Sequence, residues 1–206
     1  PMATTTTISQ VGEFPLISSM VGDLTMGQAV TLGPGDDGAV FQVDGSAVVS
    51  TDVLVEEVHF RRRWSTATDV GRKAVAVNVS DIEAMGAVPV ALVVGFSAPG
   101  DLPASWAREF MTGMAAESQK AGVSVVGGDT TGGPVVSIAV TVIGQTAGMA
   151  PVRRDGAVPG DEVAVIGQLG LAAAGLALLG RGFRSPRAVV AAQRCPEVPY
   201  GQGRVA

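Results

Sequence analysis

Four aspartates in glycine-rich or apolar settings are the residues of this chain best suited to chemistry. Asp37 lies in GPGDDGAV (33–40), Asp52 ends SAVVSTD (46–52), Asp81 sits in AVNVSDIEAMGA (76–87) and Asp129 in VVGGDTTGG (125–133). Such stretches read as fold interior, where an unpaired carboxylate costs on the order of several kcal/mol. Few of the chain's 14 Lys and Arg lie near these motifs. Oxygen donors without a basic partner suit a hard divalent cation, and Mg²⁺ with a polyphosphate is the commonest such pairing.

The chain contains no GxxxxGK[ST] loop, and its only lysines are Lys73 and Lys120. Phosphate charge would therefore be met by metals, backbone N–H groups and arginine. Each motif taken alone has a plainer reading. GDDG and GGDTT are ordinary turns, and STD is a strand end or helix cap. Asp81 is harder to dismiss, because aspartate has poor mid-helix propensity and here faces an apolar stripe. Its plain alternative is a hydrogen bond to neighbouring backbone. The four coincidences together favour a polynuclear metal site over four independent turns. His59, the sole histidine, reads by itself as a packed imidazole at a strand end. Arg154 in PVRRDG is read as pairing with Asp155 or reaching a phosphate.

The elements that must position these residues follow from periodicity and punctuation. Residues 1–8 read as disordered and 10–22 as a short helix. GAVFQV (38–43) and SAVVSTD (46–52) flank Asp44-Gly45, a hairpin signal. Residues 66–85 form a helix, with Thr68 as N-cap and Gly86 past its end; Ala74, Asn78, Asp81 and Met85 share one face. VPVALVVGFSA (88–98) is a buried strand. A helix over 103–121 starts at Pro103 and stops at Gly122. Strands follow over 122–129 and 135–145. In the second, Val136, Ile138, Val140 and Val142 face one way, and Ser137, Ala139 and Thr141 the other. This is an α+β domain, a mixed or antiparallel sheet layered with helices, over 1–147. A Gly- and Pro-rich stretch at 146–163 marks a junction. Residues 148–206 then begin a second, incomplete α/β domain: a strand at 162–167, a helix at 170–180 and another helix capped by Ser185-Pro186.

Composition narrows the class. Of 206 residues, 47% are hydrophobic and 28 are glycine, enough for a sizeable core with many tight turns. The net charge of −5 and the lack of a basic surface beyond Arg61-Arg62-Arg63 argue against a nucleic-acid partner; that triplet reads as a solvated loop. The lone Cys195 excludes an intramolecular disulfide, suits a reducing compartment and reads as a small packed side chain. The N-terminus lacks a signal-peptide pattern. The uncharged stretches 130–152 and 163–180 are broken by strand alternation or internal glycines, so no membrane span is expected and the location is read as cytoplasmic.

GPGDDGAV, STDVLVEEVHF, GRKAVAVNVSDIEAMGA, VVGGDTTGGP and PVRRDGAVPGDEV, in this order and spacing, resemble the thiamine-monophosphate kinase family. The resemblance runs from about Glu13 to the end of the chain, and the TD-x₆-HF pattern of 51–60 points to this branch of the aminoimidazole-ribonucleotide-synthetase-like superfamily. It implies ATP-dependent phosphorylation of thiamine monophosphate to thiamine diphosphate by in-line transfer, a homodimer whose N-terminal sheets pack into a barrel, and several Mg²⁺ ions. By motif, Asp37, Ser50, Thr51, Asp52, Asp81 and Asp129 resemble the Mg²⁺ ligands. Gly128, Asp129 and Arg154 resemble ATP contacts, and His59 a contact to the thiamine substrate. No catalytic residue separate from the metal ligands is implied. Family members are longer and carry a further aspartate motif in their second domain, so the 206 residues alone are expected to be inactive. Two alternatives stay open: another ATP-dependent synthetase of the superfamily, or an inactive truncated nucleotide-binding paralogue.

Overall fold

Alternating apolar residues build a central four-stranded sheet. The structure is a computed structural model that describes residues 5–205. Strands β3 (Ala47–Val55), β4 (Val88–Ala98), β5 (Ser124–Gly132) and β6 (Ser137–Gln145) stand in the order β3-β6-β4-β5. β6 is antiparallel to both β3 and β4, whereas β4 and β5 are parallel, so the sheet is mixed. The parallel pair is joined by helix α4 (Ala104–Ala121), as a crossover connection requires. α3 (Ala67–Ala84) lies beside α4 on the same face of the sheet.

The period of two assigns every central side chain to a layer. Val136, Ile138, Val140 and Val142 are all fully buried, as the alternation requires, together with Leu92 and Phe96 of β4. Phe60, Phe96, Trp106 and Phe110 stack into an aromatic column in this core. The opposite face of β3 is exposed, with Val49 at 61% and Val53 at 46%. The two helices approach so closely that a Cβ on Gly71 would lie 2.0 Å from the Phe110 carbonyl oxygen, and one on Gly113 2.2 Å from that of Thr68. No larger residue fits either position without moving a helix.

Several sequence expectations need correction. The segment expected to be disordered includes Thr7, which caps α1 (Ile8–Val11) and is paired with Pro103; residues 1–4 lie outside the described residues. The expected helix over 10–22 is interrupted at Gly12, before α2 (Glu13–Val21). The expected hairpin does not form. β2 (Val40–Phe41) pairs instead with β1 (Val30–Leu32), and β3 pairs with β6. Asp44-Gly45 turns the chain between two sheets rather than within one. The cap of α3 is Thr66, not Thr68: Thr66 and Asp69 exchange side-chain and backbone bonds in a capping box at 2.9 and 3.1 Å. Arg61, Arg62 and Arg63 do form a solvated loop, but their charges are paired. They pair with Glu56 and Glu57, and the guanidinium groups of Arg61 and Arg63 lie 4.3 and 5.3 Å from the Trp64 ring centroid.

Beyond β6 the chain forms α5 (Leu171–Gly180) and α6 (Arg187–Arg194), which pack on each other and on Trp64 through Leu179 and Val190. The strand expected at 162–167 is absent: the segment is irregular, and Val163 is 97% exposed. An isolated apolar run has no ladder to join, and pairing rather than propensity makes a strand. Residues 200–204 return to the first layer. Glu83 accepts from the backbone N–H groups of Gly201 and Gly203, and buried Glu117 accepts from the Tyr200 hydroxyl at 2.9 Å and from Arg72 Nε at 2.9 Å. Among the described residues no helix is long and apolar enough to cross a membrane.

Candidate functional site

The sequence-selected residues fall into two clusters on the sheet. The first joins β3 to α3. Alternation turns Ser50 and Asp52 toward the helix layer, and the helical period turns Asp81 and Asn78 back toward β3. Ser50 Oγ donates to Asp81 Oδ2 at 2.7 Å. The Asp52 backbone N–H donates to Asn78 Oδ1 at 3.0 Å, and Asn78 Nδ2 donates to the Ala74 carbonyl at 2.8 Å. Asn78 is fully buried, so this bond takes up a free N–H of the edge strand β3. Thr51 points to the other face, where its hydroxyl donates to the Val140 carbonyl at 2.9 Å and meets Thr141 Oγ1 at 3.2 Å.

The second cluster surrounds the free edge of β5. A cavity of about 540 Å³ is lined by Asp36 and Asp37 of the glycine loop, by Gly128 and Asp129 of β5, and by an apolar wall that includes Phe14, Ile17 and Met20 of α2 and Met111 of α4. The Asp37 N–H donates to Asp36 Oδ1 at 2.9 Å, so the two adjacent carboxylates are held in one turn. Gly128 has a packing reason of its own: a Cβ there would lie 2.1 Å from the Val94 carbonyl oxygen.

Asp37, Asp52 and Asp129 are exposed and Asp81 is half-buried, so these carboxylates are not the interior charges their apolar surroundings suggested. Apolar neighbours form the sheet and helix beneath them, and the aspartates sit on rims. The partner of Asp81 is the Ser50 hydroxyl rather than neighbouring backbone. Among the described residues no three His, Cys, Asp or Glu side chains converge on one point. Asp129 pairs in register with Gly95, Gly95 with Ala139, and Ala139 with Val53, the residue after Asp52. Three strand spacings, roughly 14 Å, therefore separate the two clusters.

His59 and Arg154 belong to neither cavity wall nor carboxylate cluster. His59 is exposed, not packed; its Nδ1 accepts the Val55 N–H at 3.0 Å, which leaves the proton of the neutral ring on Nε2. Asp155 pairs with Arg153 at 2.8 Å rather than with Arg154, which is exposed. The parts played by Asn78, Met111 and the α2 wall are not legible in the sequence. Asn78 was placed on the correct helix face, but its bond to Asp52 needs the register of β3. Met111 and the α2 wall carry no motif, and only the fold brings them to the aspartates.

The comparisons agree with this arrangement. The family described as AIR synthase related protein, N-terminal domain, matches residues 35–146, more than half of the chain. The thiamine-monophosphate kinase of Mycobacterium tuberculosis (strain CDC 1551 / Oshkosh) is 46% identical over 201 residues, which is 97% of this chain and 60% of that protein. The chain thus spans about 60% of the length of this curated relative. The crystal structure of thiamine monophosphate kinase from Aquifex aeolicus superposes with a TM-score of 0.73 at 29% identity, covering 92% of this chain and 62% of that one. The structure of AaThiL complexed with AMPPCP and TMP gives a TM-score of 0.68 at 30% identity, over 98% of this chain and 63% of that one. The family model covers β3, α3, β4, α4, β5 and β6, and through this N-terminal domain the chain belongs to the AIR synthase related proteins.

Proposed function

We propose that this chain carries the nucleotide- and metal-binding part of a thiamine-monophosphate kinase, which transfers the γ-phosphoryl group of ATP to the phosphate of thiamine monophosphate. The observation that carries the reading is the cavity at the β5 edge. Its lining combines the carboxylates of Asp37 and Asp129 with apolar side chains that include Ile17, Met20 and Met111. A nucleotide has matching halves, a base for the apolar wall and a metal-bearing polyphosphate for the carboxylates. The relatives named above and the neighbour complexed with AMPPCP and TMP support the same reading.

The donor set fits Mg²⁺. Asp37, Ser50, Thr51, Asp52, Asp81 and Asp129 offer only oxygen, and Ser50 and Asp81 already sit 2.7 Å apart. Bound Mg²⁺ ions would neutralise and align the phosphates. In the transfer, a phosphate oxygen of the acceptor bonds to the γ-phosphorus as the bond from that phosphorus to the β–γ bridging oxygen breaks. ADP leaves with that electron pair, and no side chain has to remove a proton. The chain's own task is orientation. Asn78 fixes the backbone at Asp52, Ser50 fixes Asp81, and Gly128, which lines the same cavity as Asp129, is assigned with it to ATP. We assign His59 Nε2–H to the thiamine substrate and Arg154 to ATP phosphate.

The roughly 14 Å between the clusters bears on assembly. In a homodimer whose sheets close edge to edge, β5 of one copy would stand beside β3 of its partner, and carboxylates too far apart in one chain would share one site. The exposed valines of β3 support a covered sheet face. We also propose a cytoplasmic location, which suits a chain with a single, free cysteine. The test is ADP release by the full-length protein with ATP and Mg²⁺. It should depend on thiamine monophosphate and not on an aminoimidazole-ribonucleotide precursor; release with the precursor alone would replace this reading by another synthetase activity.

A further inference from the structure

Lys73 is a half-buried cation without an anion. Its Nζ donates to the His59 carbonyl at 2.9 Å and to the Gln193 carbonyl at 3.3 Å. None of the ion pairs among the described residues involves it. Burial holds its pKa below the usual lysine range, so the charge is kept at a desolvation cost. Neutral methionine of similar length would fill the same space without that cost, so packing alone does not account for an ammonium here.

The two carbonyls explain it. One belongs to the turn 55–60, the other to the last turn of α6. The turn is unusually determined. Glu57 adopts φ 65°, a left-handed conformation costly for a residue with a side chain, and its N–H donates to the Phe60 carbonyl at 2.7 Å. The Glu57 carboxylate pairs with Arg61 and Arg63, and Glu56 pairs with Arg62 and reaches the Val136 N–H at 3.3 Å. The exposed His59 ring accepts the Val55 N–H on Nδ1, which leaves Nε2 without a partner in this turn. Every one of these contacts lies within the first layer except that of Lys73. Among the described residues only Lys73 joins the histidine's own carbonyl, through helix α3, to α6.

We propose that Lys73 is a positioning residue, which fixes the main chain of His59 and ties the orientation of its imidazole to α6, so that the acceptor site is set jointly by both parts of the chain. The proposal rests on the assignment of His59 to the thiamine substrate. Lys73 touches neither substrate; it acts through the His59 backbone.

The experiment compares K73M, K73R, H59A and the double variant H59A/K73M in the full-length protein. K73M should raise KM for thiamine monophosphate about tenfold, the equivalent of one charge-assisted hydrogen bond, with KM for Mg-ATP unchanged. K73R keeps the charge and donors and should return KM to within about threefold. H59A/K73M should be no worse than H59A, since the two act through one group. His59 is the only histidine of these 206 residues, and its imidazole NMR signals, identified by their loss in H59A, report its tautomer; K73M should weaken the Nε2–H preference. K73Q serves if K73M does not fold. A K73M protein with lowered melting temperature but unchanged KM would make Lys73 merely structural and overturn the proposal, as would additive losses in the double variant. Loss in H59A with none in K73M removes only Lys73. H59A without effect on thiamine-monophosphate use removes the acceptor assignment, and the proposal with it.

Discussion

Asp52 and Asp129 stand on opposite edge strands of the same sheet. Asp129 lies in the cross-strand row that ends at Val53, one residue from Asp52. In one copy no single ion can be bound by both. If both serve one site, the site needs two copies. Mixing inactive D52N and D129N proteins then restores activity, because each mixed dimer contains one site with both aspartates intact. Random exchange gives about a quarter of the wild-type sites. Activity that stays at the background of either variant would put each site within one copy.

The carboxylates should matter through charge rather than shape. D81N retains the size of Asp81 and a partner for the Ser50 hydroxyl, and D129N alters an exposed rim residue. Both should melt within a few degrees of wild type, yet lose about a hundredfold or more in Mg²⁺-dependent transfer. Near-normal turnover at ordinary Mg²⁺ concentration would remove these residues from the ligand set.

Asn78 tests the structural side of the same cluster. N78A leaves the Asp52 N–H and the Ala74 carbonyl without their side-chain partner in a fully buried place. The expected loss is about 1–3 kcal/mol, read from urea unfolding, with faster amide exchange along β3. An unchanged denaturation midpoint would show that water or a shift of α3 replaces the bond.

Most of the helix–sheet layer was legible because periodicity speaks for it. VPVALVVGFSA became β4 at the expected residues, and the alternation of 135–143 assigned the core face of β6 correctly. What the sequence did not carry was pairing. Asp44-Gly45 looks like a hairpin turn whether or not its flanks pair, and 162–167 has strand propensity without a neighbour. At the site, motif spacing selected the aspartates, but their exposure and their division between two edges depend on strand order, which no local pattern records. Lys73 was invisible for a related reason: its two partners are main-chain carbonyls of residues 59 and 193, and a carbonyl leaves no mark in sequence.

Alkaline pH should expose the contacts behind the helix layer. Burial pushes the Cys195 thiol up to about 11, and burial together with its bond to Glu117 raises the Tyr200 hydroxyl above the usual tyrosine range. Both groups bind their protons more tightly folded than unfolded. Their contribution is complete below the unfolded values and is lost as pH rises through the folded ones. Stability should therefore decline from about pH 9 to 11, and C195A should flatten the first part of that decline. At pH 8 about one thiol in a thousand is ionised in the fold, so alkylation of Cys195 should be slow until the protein unfolds. Rapid labelling of the native protein would contradict this burial.

The register of β3 has a kinetic consequence. Thr51 meets Thr141 across 90 residues of chain, and both helices of the layer and strands β4 and β5 lie between them. Closing so large a loop is entropically expensive before any contact rewards it. The strand bearing Ser50 and Asp52 thus waits longest of the four sheet strands for its partner, although it is the first of them to be made. Until residue 145 has been made, these side chains hang on an unpaired edge, and the sheet that carries the aspartates is finished only then.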